Sequence, residues 1–353
     1  MNDDDSSDKL QADLNDAFVR LRHFAGSMVI FALLSSGVAD LLAKSRYSLD
    51  RLADMGKWDC ARLRALLEFG WKEGLVGVVE GEYYATAELE RCLRLRGWFE
   101  LMVGGYGNIF LQLGTALRRS PRSRHPKILH RNGRYVGRGS CNMSKYGAFR
   151  LINELIERSS NNVREIVIAD LGCGDAAGLV DFCSRRPDSF GVAVEPDKAA
   201  FLAAKALIRS QQLSHRISTV NCSCADFLRK RFVHDPPSHL VLSFVLHEIL
   251  GTRGEKGVTG FLSAIRRRFP RCAIVVVEVD ESFTKEQLRD SQIGLGYYNA
   301  YLLLHTFTGQ QLMPASFWMT LFERCGYDVA TTKAIPAAAD PLGAEKGFLL
   351  LPR

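Results

Sequence analysis

The hydrophobic positions follow two different patterns along this chain. Between residues 14 and 88 they recur mostly at helical spacing, and Ala25 to Ala43 shows a strongly apolar helix-turn-helix pattern. Ser48 and Asp59 can each cap a following helix, and Leu75 to Tyr84 has the alternation of a β-hairpin. The pattern therefore predicts a mostly helical N-terminal domain with a hairpin wing.

After about residue 150 the pattern changes to short apolar runs that alternate with helical stretches. Such continuous runs are typical of strands buried on both faces of a parallel sheet. The alternation predicts βαβ units and an α/β domain. The predicted strands are Ile166 to Ala169, Phe190 to Val194, Arg216 to Asn221, Leu240 to Leu246, Ala273 to Val279 and, near the end of the chain, Phe348 to Leu351.

Candidate chemistry is concentrated between Glu165 and Asp197, in a strand, a glycine-rich loop, a helix, a second strand and an acid. Gly172 and Gly174 allow the backbone to turn sharply and to approach a ligand closely. The following helix offers free N–H groups to a polar ligand. Glu195, at the end of the second strand, can accept hydrogen bonds from two ribose hydroxyls.

The glycine spacing, G-C-G-D-A-A-G, differs from that of a dinucleotide site. Asp170 and Asp175 would repel a pyrophosphate, whereas Asp170 suits a ligand with a cationic amino acid group. The segment DLGCGD resembles the first motif of the class I S-adenosylmethionine (SAM) methyltransferases. This resemblance implies a Rossmann-like, seven-stranded methyltransferase domain with SAM as cofactor. The SAM-binding residues that it implies in this segment are Asp170, Gly172, Gly174 and Glu195.

Composition adds several expectations. The chain has 353 residues, 47% of them hydrophobic, which is enough for a large core and two domains. The acidic first twelve residues predict a disordered tail rather than a targeting peptide. By its residues alone, no apolar run reaches the roughly 18–20 residues needed to cross a bilayer, so no membrane partner is expected. Nine scattered cysteines without a C-x-x-C pair indicate reduced thiols and a cytoplasmic location.

The net charge of +7 raises the question of nucleic-acid binding. Much of the positive excess lies in one basic stretch, Ala116 to Arg138, and a small anionic substrate explains a local patch as well. The helix predicted over Ala61 to Trp71 is largely apolar, unlike a DNA-recognition helix. We therefore expect a dimerisation and substrate-lid module, a small-molecule substrate and no nucleic acid.

The same kind of module precedes the catalytic domain in the dimeric small-molecule O-methyltransferases, which the N-terminal half resembles. The resemblance implies a winged-helix-like dimerisation domain and a homodimer. The expected divisions are a tail over residues 1–12, the dimerisation domain over 13–115, a basic linker and substrate-contacting segment over 116–150 and the SAM-binding catalytic domain over 151–353.

Asp226 and Phe227 follow the third predicted strand. In the methyltransferase family an acid–aromatic pair at this place lies beside the adenine of SAM. The resemblance implies that Asp226 accepts from the adenine amino group and that Phe227 packs on its ring.

His247 and Glu248 follow the fourth predicted strand, where ligands bind in open α/β sheets. In the O-methyltransferases a histidine near this point is the general base. The His–acid pair followed by His305 resembles the 2-oxo-acid C-methyltransferases, which act on phenylpyruvate, 2-ketoarginine or similar acids. That resemblance implies that His247, Glu248 and His305 hold a metal ion such as Fe, Zn, Ni or Co, with His247 and His305 as catalytic residues.

Such a site would suit methylation at carbon 3 of a 2-oxo acid. Two histidines and one carboxylate leave open positions at which an oxo acid can chelate, and a Lewis acid stabilises its enolate. Arg134 and Arg138, from the basic stretch, are candidates for binding the substrate carboxylate.

Two alternatives remain open from the sequence. The first is small-molecule O-methylation with His247 as general base, oriented by Glu278 or Asp280. The second is a non-catalytic SAM-binding protein or a DNA-binding regulator. The side chain of a 2-oxo acid substrate is also open, since a cationic one needs an acidic wall and an aromatic one an aromatic wall.

Overall fold

The structure is a computed structural model that describes residues 3–118, 127–160, 165–229 and 236–353, with side chains from residue 8 onward. The chain forms two compact units, Met1–Gly104 and Gly105–Arg353. The first boundary therefore lies earlier than the predicted end of the dimerisation domain at residue 115. The described parts of the predicted linker belong to the second unit.

The first unit is mostly helical and contains a small antiparallel sheet in the order β1-β3-β2. Ser48 and Asp59 cap helices through the N–H groups of Arg51 and Arg62, as predicted. Its elements are α1 (Asp3–Ser36), α2 (Val38–Leu42), β1 (Tyr47–Ser48), α3 (Leu49–Gly56), α4 (Cys60–Lys72), β2 (Val76–Val79), β3 (Glu82–Ala85), α5 (Ala87–Arg94), α6 (Arg96–Phe99) and a π-helix over Glu100–Gly105.

The predicted disordered tail is wrong, because α1 begins at Asp3. The helix ends where Gly37 takes a left-handed conformation (φ +85°), and the residues on both sides of that turn enter the core of the unit. Further upstream, Leu14, Phe18 and Leu21 are exposed. By length and composition the segment Asp8–Ser36 is apolar enough to cross a membrane, contrary to the expectation from the sequence.

The second unit contains a seven-stranded sheet in the order β6-β5-β4-β7-β8-β10-β9. Strands β4 to β8 are parallel, whereas β10 is antiparallel to both of its neighbours. The strands are β4 (Ile166–Leu171), β5 (Ser189–Val194), β6 (Ile217–Val220), β7 (His239–Ser243), β8 (Ala273–Val279), β9 (Tyr327–Ala334) and β10 (Glu345–Pro352).

Helices cover both faces of this sheet and bury an apolar cluster on each. All seven residues of β8 are buried, as expected for a central strand. The helices are α7 (Gly107–Phe110), α8 (Leu113–Ala116), α9 (Gly133–Ser144), α10 (Ala148–Ser159), α11 (Ala177–Arg185), α12 (Lys198–Ser210), α13 (Cys224–Arg229), α14 (Leu246–Arg268), α15 (Lys285–Arg289), α16 (Asn299–Thr308) and α17 (Ala315–Arg324), with a π-helix over Gly294–Tyr298.

One predicted strand boundary is wrong in a way that matters for the site. The fourth strand was predicted to run to Leu246, but β7 ends at Ser243. Phe244 takes a left-handed conformation (φ +57°), and Leu246 already begins α14. His247 therefore lies in the first turn of a helix rather than at the tip of a strand.

Candidate active site

The glycine loop between β4 and α11 has the tight geometry that its sequence predicts. Gly172 and Gly174 have φ values of +87° and +58°, which favour glycine over residues with a Cβ. The N–H of Gly172 donates to the carbonyl of Val194 over 2.8 Å. The loop is thereby fixed at the carboxyl ends of β4 and β5, where ligands bind in folds of this kind.

Two carboxylates lie at this loop. Glu195 accepts from the N–H of Gly174 (2.9 Å) and from the N–H of Asp197 (2.8 Å). Burial raises the pKa of Glu195. Burial and the charge of Glu195 raise the pKa of Asp170 to about 7. Two acids held close together in a desolvated place favour a ligand that brings positive charge.

Helix α9 lies close over the glycine loop. A Cβ on Gly174 would be only 2.7 Å from the Sγ of Cys141, so any other residue here would force that side chain to shift. A cavity borders the loop and is lined in part by Asp170, Gly172, Cys141, Phe149, Ser243 and Phe244. The predicted residues Asp170 and Gly172 thus line a recess beside α9.

The predicted adenine pair lies in α13. Asp226 accepts from the hydroxyl of Ser223 over 2.6 Å and pairs with Arg229. Phe227 is fully buried in the core. Packing of adenine on Phe227 would require this ring to become accessible, and both roles stay predictions.

Glu278 holds His247 from the end of β8. Its Oε1 accepts from the backbone N–H of Leu246 (2.7 Å), and its Oε2 lies 2.7 Å from the Nδ1 of His247. Because an ionised carboxylate can only accept, the Nδ1 of His247 carries the proton and its Nε2 keeps the lone pair. Both side chains are buried, with relative exposures of 2% and 1%.

Gln310 contacts this lone pair. Its Nε2 donates to the Nε2 of His247 over 3.1 Å, and its Oε1 accepts from the hydroxyl of Thr308 over 2.8 Å. The hydroxyl of Tyr106 donates to the same Oε1 over 3.5 Å. Nothing in the sequence near Gln310 predicted this role, because its contacts come from distant elements.

His305, in α16, faces His247. Its Nδ1 donates to the carbonyl of Tyr301 over 2.7 Å, so its Nε2 also keeps a lone pair. Among the described residues nothing forms a hydrogen bond with this buried Nε2. Burial, and next the neighbouring His247, hold the pKa of His305 well below its usual range. His305 is therefore neutral at physiological pH.

The two imidazole rings lie 5.4 Å apart between centroids, each with Nδ1 fixed and Nε2 as an acceptor. Histidine ligands of transition metals are ordinarily fixed in the same way, through the other ring nitrogen. The structure does not bring Glu248 into the same cluster, since Arg131 pairs with its carboxylate. Within the described ranges no group of three His, Cys, Asp or Glu residues is suited to a metal. The predicted three-residue metal site is thus not formed as such, although its two histidines are brought together.

Within the described part of the basic stretch, Arg131 reaches the site. Its Nη2 donates to the Oε1 of Glu248, and its Nη1 lies 3.4 Å from the hydroxyl oxygen of Tyr106. Burial alone would lower the pKa of Arg131, but Glu248 outweighs it and raises the pKa. The predicted Arg134 is exposed and lies over the ring of Tyr135, and the predicted Arg138 is half-buried in α9. Arg131 belongs to the basic stretch from which Arg134 and Arg138 were predicted, and the roles of those two residues stay predictions.

Asp280, the other acid proposed to orient His247, has a structural role instead. Its Oδ1 accepts from the N–H of Ala315 over 2.8 Å, at the start of α17. Its Oδ2 pairs with Lys346 over 2.6 Å. Glu278 is therefore the acid that orients the imidazole.

The chain was compared with known proteins. No family profile matches it. It is 31% identical over 345 residues to a 2-ketoarginine methyltransferase from Streptomyces arginensis, and the alignment covers 96% of each chain.

Solved structures with this fold include several methyltransferases. An O-methyltransferase family protein from Burkholderia thailandensis matches with a TM-score of 0.61 and 14% identity, over 96% of this chain and 98% of its own. The mitomycin 7-O-methyltransferase matches with a TM-score of 0.64 and 14% identity, over 98% and 100%. A methyltransferase of calicheamicin biosynthesis, solved in its SAH-bound form, matches with a TM-score of 0.56 and 17% identity, over 98% and 99%.

Proposed function

Because this chain belongs to the family of SAM-dependent methyltransferases that includes 2-ketoarginine methyltransferase, we propose that it methylates carbon 3 of a 2-oxo acid. In this reaction the β-carbon of the acid loses a proton and gains the methyl group, and SAM leaves as S-adenosylhomocysteine. The product would serve the biosynthesis of a non-proteinogenic amino acid or a natural product.

The glycine loop is the proposed SAM site. Glu195 is already held by two backbone N–H groups, and each of its oxygens keeps a second acceptor position for a ribose hydroxyl. Asp170, with its raised pKa, would be stabilised in its ionised form by a ligand that brings an ammonium group. Gly172 and Gly174 leave room for the ligand to approach the backbone.

Arg131 is the proposed partner of the substrate carboxylate. Its guanidinium is half-buried, with a side-chain exposure of 23%, and it can donate to a second carboxylate beside that of Glu248. Tyr106 connects it to Gln310 and so to His247. A 2-oxo acid bound at Arg131 would therefore present its keto group and β-carbon toward the histidines.

His247 and His305 are the proposed catalytic pair, and a metal ion held through their Nε2 atoms would displace Gln310 from the Nε2 of His247. When bound, such an ion supplies Lewis-acid stabilisation of negative charge on the oxo acid. Glu278 fixes the imidazole of His247, and the carbonyl of Tyr301 fixes that of His305. Glu248, engaged by Arg131, would lie beside this site rather than in it.

One observation favours this proposal over the O-methyltransferase alternative. O-methylation needs one base, and the His247–Glu278 pair would supply it. It gives no role to the Nε2 of His305, a buried acceptor that lacks a hydrogen-bond partner in the described chain. Leaving such an atom unsatisfied costs about 1–3 kcal/mol, so its retention favours a function that uses both rings.

The position of the transferred methyl group tests the proposal. The enzyme would be incubated with SAM carrying a ¹³C-methyl group and a panel of 2-oxo acids and phenols. We expect a product whose labelled carbon is bonded to carbon 3 in the NMR spectrum. A label found only on oxygen would contradict the proposal and favour the O-methyltransferase alternative.

We also propose a homodimer formed through α1. Leu10, Leu14, Phe18, Leu21 and Met28 recur at helical spacing and are each exposed by 38% or more. Such a stripe is suited to pairing with the same helix of a second copy. Light scattering should give twice the chain mass of 39.4 kDa, and Phe18→Glu should shift it to the monomer value. A wild-type monomer at micromolar concentration would contradict the dimer.

A further inference from the structure

A row of buried aromatic rings ends at His305. Tyr297, Tyr301 and His305 follow one another at the spacing i, i+4 and i+8, so their side chains are neighbours on one face of the helical segment. Between ring centroids, Tyr301 lies 3.8 Å from His305 and 5.3 Å from Tyr297. Both tyrosines are only 7% exposed. His305 therefore packs against a ring that is itself enclosed by the protein.

The hydrogen bond at Nδ1 does not by itself fix the plane of this imidazole. The Nδ1 of His305 donates to the backbone carbonyl of Tyr301 over 2.7 Å, which determines the tautomer. The imidazole could still tilt about this bond, since its Nε2 has no hydrogen-bond partner among the described residues. The ring of Tyr301, at an interplanar angle of 45°, limits that tilt by direct contact. The carbonyl and the ring of one residue thus act on the same imidazole.

The other rings beside His305 lie farther away. Between centroids, His247 lies at 5.4 Å and Tyr106 at 6.3 Å from His305. Of these described rings Tyr301 is the nearest, so its side chain restricts the orientation of the imidazole most strongly.

The support for Tyr301 continues into the preceding π-helix. Tyr298 lies edge-on to Tyr301, with an interplanar angle of 88°, and is 1% exposed. Gly294 begins this π-helix, and a Cβ there would lie only 2.2 Å from the backbone carbonyl oxygen of Leu288 in α15. Short π-helical turns of this kind occur frequently at functional sites. The tyrosines behind His305 therefore belong to a closely packed segment with little room to shift.

We infer that Tyr301 is a positioning residue for His305, whose ring sets the plane of the imidazole and so the direction of its Nε2 toward His247. This inference rests on the proposed function, in which both Nε2 atoms act together. Tyr301 would affect the reaction only through His305, because its ring rather than its hydroxyl forms the contact. Phenylalanine should therefore replace Tyr301, whereas an aliphatic residue should not.

Two substitutions separate the ring of Tyr301 from its hydroxyl. Tyr301→Phe keeps the ring and should retain kcat for methylation of a 2-oxo acid within about twofold. Tyr301→Leu removes the ring and should lower kcat by roughly 10- to 100-fold, because a misdirected catalytic group loses that much. The KM for the oxo acid and the affinity for SAM should stay close to the wild-type values, since the change acts on the catalytic step.

NMR tests the same contact without an activity assay. In protein labelled with ¹³C and ¹⁵N at histidine, the ring current of Tyr301, 3.8 Å away, should shift the imidazole proton signals of His305. This shift should persist in Tyr301→Phe and be lost in Tyr301→Leu. The Nδ1–H tautomer should remain in the wild type and both variants, because the carbonyl that holds it belongs to the backbone. The absence of His305→Ala signals identifies the resonances.

Phe283→Leu is the matched control. Phe283 contacts Tyr298 at 5.8 Å between centroids, on the far side of the tyrosines from His305. The change removes a ring from the same cluster and should lower thermal stability while kcat and the His305 signals stay unchanged. Should Tyr301→Leu fail to fold, Tyr301→Met takes its place with the same expectations, since its flexible side chain fills more of the space.

Three results would overturn the inference and leave the proposed function intact. They are equal losses of kcat in Tyr301→Phe and Tyr301→Leu, a folded Tyr301→Leu variant with wild-type kcat, and His305 signals that do not change when the ring is removed. A wild type that methylates no 2-oxo acid would overturn the proposed function instead. The NMR comparison would then still decide whether Tyr301 orients His305.

Discussion

The glycine-loop end and the histidine end of the proposed site differ in the charged groups that they present. At the glycine loop, Glu195 accepts from two backbone N–H groups, and the raised pKa values of Asp170 and Glu195 suit a ligand that brings positive charge. At the other end, the imidazoles of His247 and His305 lie 5.4 Å apart between centroids, and Gln310 and Tyr106 connect His247 to Arg131. The difference indicates that the cofactor end is built on one loop, whereas the substrate end is built from side chains of separate elements.

If this division holds, a change at one end should leave the other unaffected.

The largest of these effects is expected at Glu278, which fixes the tautomer of His247. Glu278→Gln should lower kcat by roughly 100-fold, because the supporting group orients the imidazole that acts on the substrate. SAM affinity, measured by calorimetry, should stay unchanged. Asp280→Asn is the control, since Asp280 caps α17 and should affect thermal stability more than kcat. Equal losses of kcat in both variants would contradict the assignment of Glu278.

At the cofactor end, Glu195→Ala should weaken SAM binding by about 30-fold or more, from the loss of roughly 2–3 kcal/mol of charge-assisted hydrogen bonding. The KM for the oxo acid at saturating SAM should change little. Asp188→Ala, which removes an exposed acid just before β5, should leave SAM binding unchanged. Unchanged SAM affinity in folded Glu195→Ala protein would remove Glu195 from the site.

A smaller loss is expected at Arg131. Arg131→Gln should raise the KM of the oxo acid by roughly 10-fold, since one charge-assisted contact to the carboxylate is lost. Arg134→Gln, a change of the same kind at an exposed position of α9, should have no effect. A larger rise in KM for Arg134→Gln than for Arg131→Gln would favour Arg134, which the sequence analysis proposed, as the residue that binds the carboxylate.

The smallest effect concerns stability and pH. The folded-state pKa of Glu345, about 8, lies above its unfolded value, so its contribution to stability is complete at low pH and is lost as the pH rises through 8. Glu345→Gln should remove that loss and raise Tm at pH 9 by roughly 3 °C relative to the wild type. At pH 5, where Glu345 is protonated in the folded chain, the two Tm values should agree within error. An equal Tm difference at both pH values would contradict a raised folded-state pKa for Glu345.

The same division explains what the sequence could predict. DLGCGD and Glu195 lie in one contiguous segment, so a local sequence motif contains the whole loop that is proposed to bind SAM. The strands of the sheet were also predictable, because each is a continuous apolar run. The error at Leu246 arose because the start of α14 is equally apolar and nothing in the sequence signals the turn at Phe244.

The substrate end could be predicted only in part. His247 and His305 were found through a family resemblance, but their pairing partners Gln310 and Tyr301 were not. Glu248 was predicted as a metal ligand, because no sequence pattern shows that Arg131 reaches its carboxylate across the fold.

The most direct test of the account is the activity of His305→Ala, measured beside its metal content and its SAM affinity. If the two imidazoles act as one unit, loss of either should lower methyl transfer to the oxo acid by at least about 1,000-fold, because catalytic groups that act together fail together. Metal content should fall with it, and SAM affinity should remain. His215→Ala, at an exposed histidine of the same unit, is the control. A His305→Ala enzyme with near wild-type turnover, or a metal-free wild type that still methylates, would contradict the paired-histidine mechanism.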